Sequence, residues 1–305
     1  MIDYTTVRAL FFAMPDKERA PAPAARHRSA ARLLRDAIEP LACQSIWSPE
    51  SAEGYQMLGL DDFFAAYVWQ RTAALGTPPT ALAVAAIGVF APALVGPRYE
   101  TGIAALSSQD VSRIRREAPG VTVRRVLGDI DDEARPVVAA LRRGLAEADA
   151  TARPMFAGLA AEPWPDDVLA QLVHACNMLR EHRGDSHLAV CAVAGLDPVE
   201  MNVLTELYCG YELGSYSPSR GWTVEDIEAA AVRLRTRGLV VGASLTPEGL
   251  RFRDGLEAQT DAMQQSIVDG IGGEIDDVAK RLGAWSDALV AAGAAPPDPA
   301  KRAAG

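Results

Sequence analysis

The sequence is poor in the signatures of known chemistry. It has no GxSxG, no Walker loop, no Gly-rich dinucleotide turn after a strand and no HExxH. Reactions that depend on those motifs are therefore not expected. The four cysteines, Cys43, Cys176, Cys191 and Cys209, form no CxxC or other close pair. Such spacing fits separate buried thiols in a reducing cytosol better than disulfides or zinc ligands. A covalent mechanism would rest on a lone cysteine such as Cys43. Aromatic residues make up only 6% of the chain, and lysine is scarce beside arginine. A long apolar run is also missing. The most apolar stretch, TALAVAAIGVFAPALVG (Thr80 to Gly96), is short for a membrane span and contains Pro92, so it reads as a buried core helix. The opening MIDYTTVRALFFAMPDKERA has early charges and no adequate apolar core, so no signal peptide is expected.

The chain has 305 residues, 49% hydrophobic, enough for one large or two ordinary domains. Its abundance of alanine, and of arginine over lysine, favours helices. The net charge of −10 argues against a nucleic-acid partner held mainly by phosphate neutralisation. A local basic stripe remains compatible with DNA. The expected setting is the cytoplasm, with no membrane contact, as a monomer or homodimer.

Periodicity and punctuation give an all-α reading with one small hairpin. Residues 1–28, with PAPAARHRS at their end, read as a flexible arm. An N-terminal helical domain spans 29–152. Its first helix starts at Ser29, presents Ala30, Leu33, Leu34, Ala37 and Ile38, and is closed by Pro40. Ser48 and Pro49 open another. Leu60 to Leu75 carries an aromatic stripe of Phe63, Phe64 and Tyr67, read first as core packing and second as a ligand-stacking surface. Thr80 to Val95 follows. Residues 107–127 hold Arg113, Arg115, Arg116, Arg124 and Arg125, read as a solvated face or, less favoured, a DNA-backbone patch. Asp129 to Ala150 completes this half.

A C-terminal helical domain spans 160–290, with a winged helix at 198–268. One helix runs from Asp166 or Asp167 to about His182 and ends at Gly184, and Asp185 caps the next. Asp197, Pro198 and Glu200 start a third with a capping box. In the stretch from Gly221 to Asp261, Thr223 and Asp226 form another box, and Ile227, Ala230, Ala231 and Leu234 share one face. Gly238 ends that helix. Leu239 to Val241 and Leu245 flank a turn, and Thr246-Pro247 opens a helix to about Val268. Asp276 to Val290 is the last helix, and 291–305 read as a disordered tail.

The words RLRTRGLV and LTPEG resemble the end of the recognition helix, the wing and the next helix of MarR-type regulators. With the segment PWPDDVLAQLVHACNMLREHRGDSHLAVCAVAGLD (Pro163 to Asp197), the chain resembles an actinobacterial helix-turn-helix family with a MarR-like C-terminal winged helix. That resemblance implies a fold more than a function. The family pattern also places a histidine and aromatics just after a Glu-Pro pair. Here Glu39-Pro40 is followed by LACQSIW, and the histidine has no counterpart.

Three of the four histidines, His174, His182 and His187, fall within fourteen residues, amid Arg180, Glu181, Arg183 and Asp185. His174 and His182 are two helical turns apart and about 80° round, so they border one groove without chelating one ion. Three readings stand: a polar corner between helices, a ligand pocket in which Arg180 or Arg183 meets an anion, and a metal or heme site with His182 or His187 as ligand. Glu39 and Tyr67 join the ligand candidates. No cofactor is named by the sequence. Arg233, Arg235 and Arg237 are the DNA candidates, but Glu225, Asp226 and Glu228 occupy the turns where DNA readers place basic residues. Two functions follow: a small-molecule-binding protein with a winged helix, acting as a transcriptional regulator, or an enzyme of specialised metabolism using the His/Arg/Asp pocket.

Overall fold

The computed structural model describes residues 3–14 and 29–303. Among these the fold is nearly all helical, with one two-stranded hairpin. The first half contains α1 (Tyr4–Phe12), α2 (Ala30–Ala42), α3 (Gln44–Trp47), α4 (Pro49–Met57), α5 (Phe63–Thr72), α6 (Thr80–Ile87), α7 (Pro92–Ala105), α8 (Ser108–Leu127) and α9 (Asp131–Ala146). The second contains α10 (Pro154–Ala160), α11 (Val168–Val193), α12 (Pro198–Tyr208), α13 (Val224–Thr236), β1 (Val240–Val241), β2 (Ser244–Leu245), α14 (Pro247–Ala262), α15 (Gln265–Ile271), α16 (Ile275–Ala291) and α17 (Pro299–Ala303).

The two halves share one core. Leu34, Ile38 and Leu41 of α2 pack with Val137 and Leu141 of α9, Leu169, Leu172 and Val173 of α11, Ile267 of α15, and Leu282 and Leu289 of α16. α11 is the central element, buried along most of its length. A second cluster joins α5, α6, α7 and α8 around Trp69 and Tyr99. A third holds the winged helix, with Val203 and Leu204 of α12 against Ile227, Ala230 and Leu234 of α13 and Leu256 of α14.

Local capping chemistry sets most helix starts. Ser29, Ser48, Thr223 and Thr246 accept backbone N–H groups as N-caps. Capping boxes stand at Asp197/Glu200 and Thr223/Asp226. The wing pairs Val240 with Leu245 and Val241 with Ser244. It is short because Thr246 caps α14 directly after β2, and Gly249 of that helix sits against the residue before β1, where an added Cβ would lie 1.9 Å from the carbonyl oxygen of Leu239.

Several boundaries differ from expectation. α11 does not stop at Gly184; it runs unbroken to Val193. Burial on several sides outweighs the roughly 1 kcal/mol that glycine costs inside a helix. The apolar stretch from Thr80 breaks at Gly88, whose positive φ ends α6 before Pro92 opens α7. Pro40 lies inside α2 instead of closing it. The helix opened by Thr246 ends at Ala262, and α15 follows as a separate element. On α2, Leu33 is exposed while Arg32, Arg35 and Glu39 are buried. Arg115 of α8 is likewise buried, pairing with Glu162 and donating to the Gln70 carbonyl, while Arg113 and Arg125 are exposed, so that cluster is a solvated face only in part. Residues 4–12 of the expected arm form α1, and the rest of PAPAARHRS before Ser29 lies outside the described residues. The expected tail carries α17, with Ala295 fully buried.

Candidate functional site

A cavity with two lobes opens between α2, α5, α11 and the winged helix. Counted out to their mouths, the lobes hold about 680 and 1130 Å³ of empty space. Glu39, Tyr67, Phe90, Arg180, Tyr216 and Arg220 line both and form the neck.

The smaller lobe is aromatic. Trp47 stacks on Phe63 with ring centres 5.5 Å apart, Phe11 leans on Trp47 at 5.3 Å, and Tyr67 meets Phe90 at 5.5 Å. Phe63, Phe64 and Tyr67 all line this lobe, so the aromatic stripe of α5 serves the cavity as well as the core. The chain ends cover it. Lys301 of α17 donates to the carbonyls of Leu10, Phe11 and Ala13, capping the C-terminal end of α1. Cys43 also lines the lobe, but burial and Glu39 beside it push its thiol well up, so it is no ready nucleophile.

The larger lobe is ionic. Its wall carries Arg32, Arg35, Arg71 and Arg180 from the first half and centre, and Arg183, Arg220 and Arg253 from the rest. Four carboxylates face them: Glu39, Glu181, Asp185 and Glu257. Glu257 accepts from three arginines: Arg32 at 2.7 Å, Arg183 at 2.7 Å and Arg253 at 2.5 Å. Arg183 also binds Asp261 at 2.6 Å. Glu181 holds Arg71 through two bonds of 3.0 and 2.7 Å. Arg180 reaches Glu39 and Glu181, each at 3.3 Å. Burial alone would raise these glutamates, but the arginines outweigh it and hold Glu39 and Glu181 below, and Glu257 well below, the usual carboxylate range.

Arg220 differs from its neighbours. It bonds Ser219 Oγ at 3.0 Å and the Tyr216 hydroxyl. Its guanidinium lies 4.3 Å from the centre of the Tyr216 ring and 4.9 Å from that of Phe90. No carboxylate pairs with it among the described residues. Its loop is pinned from two sides. Glu206 accepts from the backbone N–H groups of Tyr216 and Ser217 at 3.1 and 2.7 Å, and the Arg220 carbonyl accepts from Ala91 N at 2.8 Å.

Asp185 is neither a cap of its own helix nor ion-paired to Arg183. Its carboxylate accepts the backbone N–H of Phe156 at 3.0 Å, capping the third residue of α10 from another helix. Burial pushes its carboxyl up to about 7. His187 also lines the larger lobe. Nδ1 lies 3.0 Å from Thr260 Oγ1, and burial pushes its pKa down to about 3.

The histidines do not converge. His182 is buried away from the cavity, with Nδ1 2.8 Å from Gln264 Oε1, Nε2 3.2 Å from the Asp149 carbonyl and its ring edge-on to Phe156. His174 lies edge-on to Trp164, and burial pushes it down to about 4. Helical rotation explains the divergence: five residues from His182 to His187 turn the side chain by about 140°. No group of three metal-ligating side chains stands together among the described residues. His182 and His187 thus point apart, each ring engaged with its own partners.

Six of the eight ligand candidates, Glu39, Tyr67, Arg180, Arg183, Asp185 and His187, reach the cavity; His174 and His182 do not. Sequence reasoning missed Arg32, Arg35, Arg253, Glu257 and Arg220. The first four carried a readable signal, charged residues at spacings of three and four on helices that must bury a face. Arg220 carried none, being the last residue of a single 3-10 turn, Ser217–Arg220, in the connection between α12 and α13.

The three DNA candidates are engaged within the winged helix or with the chain just before it. Arg233 pairs with Asp197 and with Glu200 at 3.2 Å. Arg235 donates to the Gly242 carbonyl at 2.8 Å, and Arg237 donates to those of Ala194 and Gly195 at 3.1 Å.

Helix, turn, helix, hairpin and helix thus follow one another from Pro198 to Ala262 in the arrangement of a winged-helix module. Residues 31–296 match a helix-turn-helix family, and the chain belongs to that family. No curated protein and no solved structure matches it. No single helix among the described residues is long and apolar enough to cross a membrane.

Proposed function

We propose that this chain is a small-molecule-binding protein whose MarR-like winged helix forms one wall of the binding site. The carrying observation is the two-lobed cavity, with an aromatic lobe joined to an arginine-rich one by a shared neck. Pockets that bind small molecules typically combine an apolar lining with a few placed polar groups. The winged helix takes part directly. Met201, Asn202 and Thr205 of α12 and Arg253 and Glu257 of α14 line the larger lobe, while α13 packs on α12. A ligand is therefore positioned to shift the module, as a ligand-responsive regulator requires. The four separate, buried thiols fit a reducing cytoplasm.

DNA contact is the weaker part of this reading. The exposed face of α13 carries Glu225, Asp226 and Glu228, and like charge faces phosphate unfavourably. A gel shift with the upstream DNA at moderate salt is expected to show no specific band. A specific band abolished by Arg235→Ala would restore the regulator in its DNA-reading form.

Binding is tested with N-phenyl-1-naphthylamine, a neutral aromatic dye followed by fluorescence. One saturable site is expected. Ile46→Trp, which fills the aromatic lobe, should remove it while circular dichroism shows an unchanged helical fold. Dye uptake that does not saturate, or that ignores the substitution, would sink the reading.

An enzymatic alternative rests on Asp185, which lines the cavity with its carboxyl pushed up to about 7, a value suited to proton transfer near neutral pH. Turnover of a bound compound that is lost in Asp185→Asn, with binding retained, would establish it.

A further inference from the structure

The cavity's charges point to the chemical class of its ligand; this inference rests on the ligand-binding reading above. Among the described lining residues, cations outnumber carboxylates in both lobes. Around the aromatic lobe stand Arg180, Arg220, Lys301 and Arg302, with Glu39 as the single carboxylate among the described residues. Lys301 and Arg302 sit on backbone carbonyls. Arg180 shares its two carboxylates with Arg35 and Arg71, which also pair with them. Arg220 has neutral oxygens and two ring faces as its neighbours, and no carboxylate among the described residues.

A guanidinium stacked on an aromatic face keeps its N–H groups in plane to meet an anion, and Arg220 retains those not bonded to Ser219 and Tyr216. Stacking fixes its orientation, and the remaining N–H groups form a fork matched to two anionic oxygens. The ring neighbours also displace water, which strengthens a charge-assisted bond. The neck places this fork at the boundary between apolar rings on one side and paired arginines on the other. A neutral ligand would leave the Arg220 charge without an anionic partner among the described residues. A cation would add to it.

We propose that the ligand is an amphipathic organic anion. Its aromatic or planar apolar body lies in the lobe of Trp47, Phe63 and Tyr67. Its anionic head lies at the neck against Arg220, with Arg180 beside it.

The test uses two dyes that share one aromatic body. 8-Anilino-1-naphthalenesulfonate carries an anionic head, and N-phenyl-1-naphthylamine lacks it. The full-length protein should bind the sulfonate more tightly. Arg220→Gln should weaken the sulfonate at least ~10-fold, the lower range for a hydrogen bond to a charged group. The neutral dye should be unchanged within about 2-fold, the range of small context effects. Arg220→Lys, which keeps the charge and loses the fork, should fall between. Unchanged neutral-dye binding also reports that the variant has kept its cavity. Equal affinity for the two dyes, or an equal loss of both in Arg220→Gln, overturns the anion assignment and leaves the binding site standing. Saturable binding of neither dye sinks the binding site itself, and the assignment with it. Competition identifies the head: displacement of the sulfonate by 1-naphthoate marks a carboxylic acid, and by 1-naphthyl phosphate a phosphoester. Equal displacement by neutral 1-naphthol counts against both.

Discussion

The cavity wall and the winged helix are both built with arginines and carboxylates, yet they use them differently. On the winged helix, Arg233, Arg235 and Arg237 bond to groups of their own module or its immediate approach, and all are partly exposed. In the cavity, Glu257 alone serves three arginines, and Arg220 is left without a carboxylate partner among the described residues. The glycines divide the same way. Gly249 of the winged helix has no room for a Cβ. Gly184, on the cavity wall, has none of its surroundings closer than a Glu181 carboxylate oxygen at 3.9 Å. One region is closed on itself, and the other keeps space and charge in reserve. Basic residues on a helix therefore do not by themselves mark a nucleic-acid surface; where their partners lie decides it.

The sharpest test of this contrast is Glu257→Gln. Removing the carboxylate leaves three buried guanidiniums under-compensated, so a loss of about 3–5 kcal/mol is expected in denaturant unfolding. A loss below about 1 kcal/mol, the range of exposed pairs, would show the cluster to be wet and weak. Gly249→Ala should come next, at about 3 kcal/mol, because the Leu239 carbonyl cannot yield without moving β1. His182→Ala should cost about 2–3 kcal/mol, since it removes two hydrogen bonds and a ring contact inside the core. A melting point equal to wild type would return His182 to a solvent-filled pocket.

Asp185→Asn probes the cavity through pH. The carboxyl is raised to about 7 in the folded chain, so its contribution is present below the ordinary carboxylate range and is lost as pH rises towards 7. The melting advantage of Asn over Asp should therefore be larger at pH 8 than at pH 5. His174 and His187 act with the opposite sign. Their depressed values remove stability as pH falls below about 6.5, the ordinary histidine value, but they are common to both proteins and cancel in the difference. An advantage independent of pH would place Asp185 in solvent. The smallest effects should come from Gly184→Ala and Arg233→Ala. The first should gain about 0.5–1 kcal/mol of helix stability, and the second should lose under about 1 kcal/mol as an exposed pair.

The legible part of the candidate site was its central helix and its two outlying residues. Arg180, Arg183, Asp185 and His187 stood out because polar residues crowd a segment flanked by apolar runs. Glu39 and Tyr67 drew notice from a family pattern and from an aromatic stripe. Their roles were less legible. Asp185 beside Gly184 has the local grammar of a helix start, yet its carboxylate serves Phe156, 29 residues away. His174 and His182 share the polar crowd, but helical rotation turns them into the core.

What the sequence determined by itself is what spans three or four residues. The capping boxes at Asp197/Glu200 and Thr223/Asp226, the turn at Gly238 and the register of Val240 with Leu245 follow from neighbours in the chain. Tertiary structure alone decided that α11 continues through Gly184, because burial on several sides exceeds one glycine's propensity cost. It alone carried Arg220 against Phe90 and Tyr216, because a residue of a single 3-10 turn has no periodicity to declare its direction and is placed by what pins that turn, here Glu206 and Ala91.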